Sequence, residues 1–248
     1  MTSASNILSR PRPLRNVLGL ALLALFLIGP GSDFQHPYSE RFEQQLYDWR
    51  MQLNQHPEQD PRIVIIDIDE TSLSAVGRWP WPRETVAQLL DRLFDHYGIG
   101  LLAFDVVFPE SDQLLSQRRL QTSLSDASEG ERQQVQKLLL RFNPDEIMAQ
   151  ALIDRPVVLG YAFSNTEEHR AGVLPPPITE LSSPQLRDDI RQAPGYSANL
   201  QLLQSQTLYG GFFDNPLLDS DGTYRRVPML QRFADELYPS LSLAVIQN

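Results

Sequence analysis

Three arginines, Arg10, Arg12 and Arg15, stand directly before an apolar run from Val17 to Ile28 that closes on Gly29-Pro-Gly31. No other stretch narrows the options for this chain as much. A basic flank followed by a short apolar run is the pattern of a secretory signal or signal anchor. The run is shorter than the roughly 20 apolar residues a spanning helix needs, and Leu14 and Asn16 extend it if the arginine stems snorkel towards headgroups. Proline within Gly29-Pro-Gly31 makes a poor processing site, so the segment reads as an uncleaved anchor. Because basic flanks stay in the cytoplasm, residues 1–15 are expected inside, 16–31 across the bilayer, and all that follows exported.

Charge supports this division. The chain holds 21 basic and 31 acidic residues; three of the bases and none of the acids precede residue 32, leaving 18 bases against 31 acids beyond it. An acidic exported part repels phosphate backbones, which sets nucleic acid aside as a partner. Lys137 is the sole lysine, which weakens any phosphate-loop reading. The absence of cysteine removes disulfides, thiolate metal sites and cysteine nucleophiles together. His36, His56, His96 and His169 show no paired metal spacing and read as surface or boundary residues.

Beyond the anchor, Phe42, Leu46, Trp49 and Leu53 recur at helical spacing, predicting a membrane-proximal helix over Pro37–Leu53 that His56-Pro-Glu-Gln-Asp-Pro61 breaks. Residues 32–62 thus form a helix and linker, and 63–248 the main domain. Ile63–Asp69 is continuously apolar and β-branched, as a buried strand would be. Thr71–Val76 is one turn of helix closed by Gly77, and Trp79-Pro-Trp-Pro82 is not helical throughout. Val86, Leu89, Leu90, Leu93, Phe94 and Tyr97 share a face of a helix over Arg83–Tyr97, which Gly98 stops. Gly100–Phe108 is a second buried strand. Strand, helix and strand predict two parallel strands joined by a right-handed crossover.

Residues 109–128 read as loop and Glu129–Phe142 as helix. Asn143-Pro-Asp-Glu146 supplies a cap, a first-turn proline and a carboxylate three residues past the cap, opening a helix through Ile153. A strand over Pro156–Phe163 follows. Prolines 175–177, 184 and 194 make 164–206 the least ordered segment by composition. Thr207–Asp214 and Tyr224–Phe233 read as strands of a late antiparallel hairpin around Asp219-Ser-Asp-Gly222, and a last helix starts near Tyr238-Pro-Ser240. The fold class is α/β: a parallel βαβ-based sheet flanked by helices, with a late hairpin and an N-terminal transmembrane anchor. No internal repeat is present.

Asp67 and Asp69, two apart at a strand end, point to one face, where open α/β sheets bind ligands. Asp105, ending the next strand, is expected beside them, with Arg83 for positive charge; three such acids suit a hard cation such as Mg²⁺. The segment Asp67-Ile-Asp69-Glu-Thr71 resembles the first motif of haloacid-dehalogenase-type phosphatases, which implies Asp67 as nucleophile and Asp69 as acid/base. The other parts of that site are missing: Asp105 stands where a serine or threonine is required, and Lys137 lies in a polar helical stretch. The structural alternative has Asp69 capping the Thr71 turn and pairing with Arg78 or Arg83, so that the Trp-Pro segment is fixed. Trp79 and Trp81 are either a ligand wall or rigid packing pieces.

Taken in order, Phe42–Arg50, Ile63–Asp69, Gly77-Arg-Trp-Pro-Trp-Pro-Arg83 and Phe104-Asp-Val-Val-Phe108 resemble the CHASE type-2 domain. Asn143-Pro-Asp145, Val157–Tyr161, Gly210-Gly-Phe-Phe213, Asp221-Gly222 with Arg225 and Pro228, and Tyr238-Pro-Ser-Leu241 continue the likeness. The resemblance implies an extracytoplasmic sensory module of a bacterial membrane receptor, with a histidine kinase, nucleotide cyclase or similar output. It carries no catalytic residues and no cofactor. Domains of this family normally continue further and return through membrane helices to the output module, so the C-terminal part is expected to be missing here. The expected partners are the membrane, a small-molecule or protein ligand and a second copy of the chain. An exported metal-dependent phosphatase using Asp67 and Asp69, and an envelope interaction scaffold, are the alternatives.

Overall fold

The computed structural model describes residues 17, 19, 37–54, 60–112, 128, 130–134, 143–180 and 190–247. They belong to two compact units, Met1–Asp67 and Ile68–Asn248.

In the first unit, helix α1 spans Pro37–Leu53, the bounds that the apolar spacing predicts. Proline suits its first position, where the missing N–H has no intrahelical partner in any case. Phe42, Leu46, Trp49 and Leu53 are exposed along it. The anchor expected over 16–31 lies outside the described residues apart from Val17 and Gly19, both helical. Among the described residues no helix is long and apolar enough to cross a membrane.

The strand expected over Ile63–Asp69 is not formed; Ile63, Val64 and Ile65 are 74, 77 and 89% exposed. A β-branched run permits a strand, but a strand exists only where a neighbouring ladder binds it. The crossover expected from 63–69 through Arg83–Tyr97 to 100–108 is therefore absent, and the parallel strands come from later segments.

The second unit begins with α2, Glu70–Val76, ended by Gly77 at φ 112, a conformation that favours glycine. After the Trp-Pro segment, α3 spans Arg83–Asp91. Its continuation through Arg92–His96 widens, so that the Tyr97 N–H reaches Arg92 O at 3.0 Å, and Gly98 at φ 65 ends it. Val86, Leu90 and Leu93 of its predicted apolar face are buried, whereas Tyr97 is exposed.

Strand β1 is short, Leu102–Ala103, within the longer run expected there. The helix predicted over 129–142 is seen at 130–134, and 113–127 and 135–142 lie outside the described residues. Helix α4, Pro144–Leu152, starts as its sequence requires: Asn143 Oδ1 accepts the Asp145 N–H at 3.2 Å, while Asn143 Nδ2 donates to Glu146 Oε1 at 3.0 Å. β2 follows at Val157–Ser164.

Between 164 and 206, which composition marks as least ordered, lie β3 (Arg170–Ala171), β4 (Thr179–Glu180), β5 (Gln192–Ala193), β6 (Gly195–Ser197) and α5 (Gln201–Gln204). Two- and three-residue strands pair through backbone groups, which hydropathy does not register. The remaining elements are β7 (Tyr209–Phe212), β8 (Leu230–Phe233), β9 (Glu236–Pro239) and α6 (Leu241–Gln247).

The fold is mixed α/β with two mixed sheets. β2 is central to the first: Val157 and Val158 pair in parallel with β1, Val158–Tyr161 in parallel with β7, and Ala162–Ser164 antiparallel with β6, which also binds β3 in parallel. The second sheet has the order β4-β9-β8-β5. The late hairpin is thus displaced from its predicted place. Tyr209–Phe212 joins β2, while Leu230–Phe233 turns onto Glu236–Pro239. The Asp219–Gly222 turn survives as a bridge between Leu218 and Tyr224.

Leu90, Met148, Leu152, Leu159 and Leu203 are fully buried in one core, beneath Trp81, Val86 and Phe108. Each such side chain contributes about 1.5–3 kcal/mol over its exposed state. A second core is aromatic: Tyr161, Phe212 and Tyr238, with Phe163, Tyr196 and Phe233 against them. Gly160 lies where the chain after β1 presses on β2, and a Cβ there would overlap the Phe104 carbonyl oxygen.

Candidate functional site

The residues singled out from sequence meet different fates. Asp67 is exposed in the first unit. Asp69 caps α2: its Oδ1 accepts the Ser72 N–H at 2.8 Å and the Ser72 hydroxyl at 2.7 Å. These bonds favour the anion, hydroxyl first, and hold the carboxyl below its ordinary range. A carboxylate held ionised by its own helix cap is poorly suited to give up a proton as a general acid. Asp105 and Arg78 are exposed. Among the described residues no group of three or more His, Cys, Asp or Glu is placed to hold a metal ion.

The Trp-Pro segment is built into the core edge. Trp81 is buried and donates its indole N–H to Gly77 O at 2.8 Å; Trp79 meets it edge-on, ring centroids 5.6 Å apart. The Trp79–Pro80 peptide is cis. Both tryptophans act as packing pieces, and Gly77 serves both as helix terminus and as acceptor.

Arg83 is set among charged groups, though its partners are not Asp69 or Asp105. It is buried at the start of α3 together with Asp112 and Asp145. Asp112 Oδ2 accepts the Arg83 backbone N–H at 2.9 Å, and Arg83 Nη2 donates to Glu110 O at 3.0 Å. Its Nε lies 3.4 Å from Asp145 Oδ1, and its guanidinium carbon sits 4.5 Å from the Phe108 ring centroid. Asp145, in the first turn of α4, accepts the Ser111 hydroxyl at 2.6 Å and the Asp112 N–H at 3.1 Å. Burial pulls the guanidinium below its usual range, while Asp145 and Asp112 push it back. An arginine stays protonated in such a setting, so one cation and two acids pin α3, α4 and the 110–112 loop together. Sequence placed Asp145 in the opening turn of α4 but singled out Glu146, three residues past the cap, as its carboxylate; Asp112, in a polar loop, carried no signal.

A cleft of about 480 Å³ opens elsewhere in this unit, lined by Glu167, Arg170, Gln192, Ala193, Pro194, Phe233 and Ala234. Sequence pointed to none of these residues, because they lie around the short strands β3, β5 and β8. Arg170 stands over the Phe233 ring at 5.2 Å, and Phe233 meets Tyr196 edge-on at 5.0 Å. Arg232 braces the wall, with Nη2 donating to Gln192 Oε1 at 3.0 Å and Nη1 to Ala234 O at 3.2 Å.

Comparison with known proteins returns one family. The CHASE2 domain model matches residues 17–248. No curated protein and no solved structure matches the chain. CHASE2 domains are extracellular sensory domains of membrane signalling receptors and are not catalytic. With its Trp-Pro block locked beside a buried arginine and a model match over nearly its whole length, the chain belongs to the CHASE2 domain family.

Proposed function

We propose that this chain is the extracytoplasmic sensory region of a bacterial membrane receptor whose output is a histidine kinase, a nucleotide cyclase or a similar module. The observation that carries the reading is the family match over residues 17–248. The Arg10–Arg15 cluster ahead of the Val17–Ile28 apolar run supports an uncleaved anchor with its N-terminus inside. In sequence, Pro37–Leu53 joins the anchor to the sensory part, and a shift felt there is carried to the membrane by this helix, in a homodimer. Sensing of this kind requires two states that differ in ligand affinity.

The test is topological. A reporter active only outside the cytoplasm, fused after Asn248 of the full chain, is expected to be active, and a cytoplasm-dependent reporter at the same point silent. The reverse pattern overturns the reading.

A further inference from the structure

We propose that the cleft between β3, β5 and the β8–β9 turn binds a small zwitterion of the α-amino-acid type, its carboxylate on Arg170 and its ammonium on Glu167. The proposal rests on the sensory reading for what binding accomplishes, but not for the binding itself.

The cleft has a ligand's dimensions, since pockets for small molecules run from about 300 to 1,000 Å³ and this one measures about 480 Å³. Its chemistry is specific. Among the described residues no carboxylate pairs with Arg170, whose one hydrogen bond is a long 3.4 Å contact from Nη2 to Pro194 O. Its guanidinium carbon stands 5.2 Å from the Phe233 ring centroid, and a guanidinium without a carboxylate partner suits a planar, bidentate acceptor, which a carboxylate is. Gln192 is oriented by Arg232, which holds its Oε1; its amide N–H₂ is thereby turned to donate. Glu167, which also lines the cleft, repels a dianion such as phosphate and attracts an ammonium group. A carboxylate for Arg170 and Gln192 and an ammonium for Glu167 satisfy these three groups together.

Ala234 adopts φ 53 in the two-residue turn between β8 and β9, as a tight hairpin requires, and Arg232 holds its carbonyl at the edge of the cleft.

Isothermal titration of the purified full chain with each of the 20 common L-amino acids, and with acetate, methylammonium and inorganic phosphate, tests the assignment. At least one amino acid is expected to bind at one site per chain while the three fragments give no heat. Arg170→Ala should weaken that binding about ten- to a hundredfold, the loss of a charge-assisted contact. Glu167→Gln should weaken the amino acid but leave its N-acetyl derivative, already poor, unchanged. Both side chains are exposed, so circular dichroism of the variants should match the parent. Heat from no amino acid, an equal response to phosphate, or binding that survives both substitutions overturns the proposal. None of these outcomes touches the reporter result, so failure of the site and failure of the sensory reading are told apart.

Discussion

Replacing Arg83 by methionine removes the cation from the buried node while keeping the backbone N–H that Asp112 accepts. The pair with Asp145 stands at 3.4 Å, which in a medium of effective dielectric constant about 20 is an attraction of about 5 kcal/mol. Part of this is offset by relieving the arginine of its desolvation, so the net loss expected is about 3–5 kcal/mol, the usual result of orphaning a buried charge. Asp145→Leu should cost as much or more, because it also strips the Ser111 hydroxyl and the Asp112 N–H of their acceptor. With both changes made, the Arg83–Asp145 pair is removed together and only Asp112 is left without its cation, so the double variant should lose about 1–3 kcal/mol less than the sum of the singles. Urea unfolding followed by tryptophan fluorescence reads this directly, since Trp79 and Trp81 sit beside the node. At about 2–4 °C per kcal/mol for a unit of this size, Tm should fall by about 6–20 °C in either single variant. Losses that add to within about 0.5 kcal/mol would refute the coupling and reduce Arg83 to a packing residue.

Asn199 is fully buried, its Oδ1 accepting the Phe108 N–H and its Nδ2 donating to Gly160 O, both at 2.9 Å. Asn199→Ala orphans both groups at about 1–3 kcal/mol each, a loss measurable by chemical denaturation. Gly160→Ala drives a methyl into the Phe104 carbonyl; expression as insoluble protein, or strongly lowered Tm, is expected, and a stable variant would contradict the packing. Asp219 is held below the ordinary carboxylate range by hydrogen bonds from Arg226 and then Arg225. Its contribution is therefore full above pH ~4 and lost as pH falls through the depressed value. Amide exchange at Gly222, whose N–H bonds Asp219 O, should accelerate in acid relative to its intrinsic rate; Asp219→Asn should weaken that pH dependence, leaving the part due to Asp221, which Arg225 also holds low. Hydrolysis of a phosphomonoester with Mg²⁺ should stay at background in the parent and in Asp67→Asn alike; turnover lost on that substitution would reinstate the phosphatase alternative.

What sequence discloses here follows from which forces are local. Helix α1 and the Asn143 cap were readable because spacing and capping act within a few residues, and Asp69 was anticipated as a cap for the same reason. Gly77 and Gly98 likewise end their helices as expected. Strand identity was a different matter. Ile63–Ile66 has the composition of a core strand and forms none, whereas Gln192–Ala193 and Arg170–Ala171 do pair, although nothing in their side chains announces it. Partner choice in a sheet is a long-range decision, and apolar composition alone does not make it. The candidate site divides along the same line: Arg83 was named, but its partners Asp112 and Asp145 lie 29 and 62 positions away and are joined to it only by the approach of α4 to α3. The cleft was invisible because its arginine, glutamate and glutamine meet only when three short strands assemble.

Val157–Ser164 is bonded in parallel along one stretch and antiparallel along the next. A strand so held is pinned against sliding, because a one-residue slip would turn its aromatic and aliphatic flanks inside out and uncouple both ladders at once. Its two ends are therefore expected to move as one body with the strands bonded to it, rather than past them.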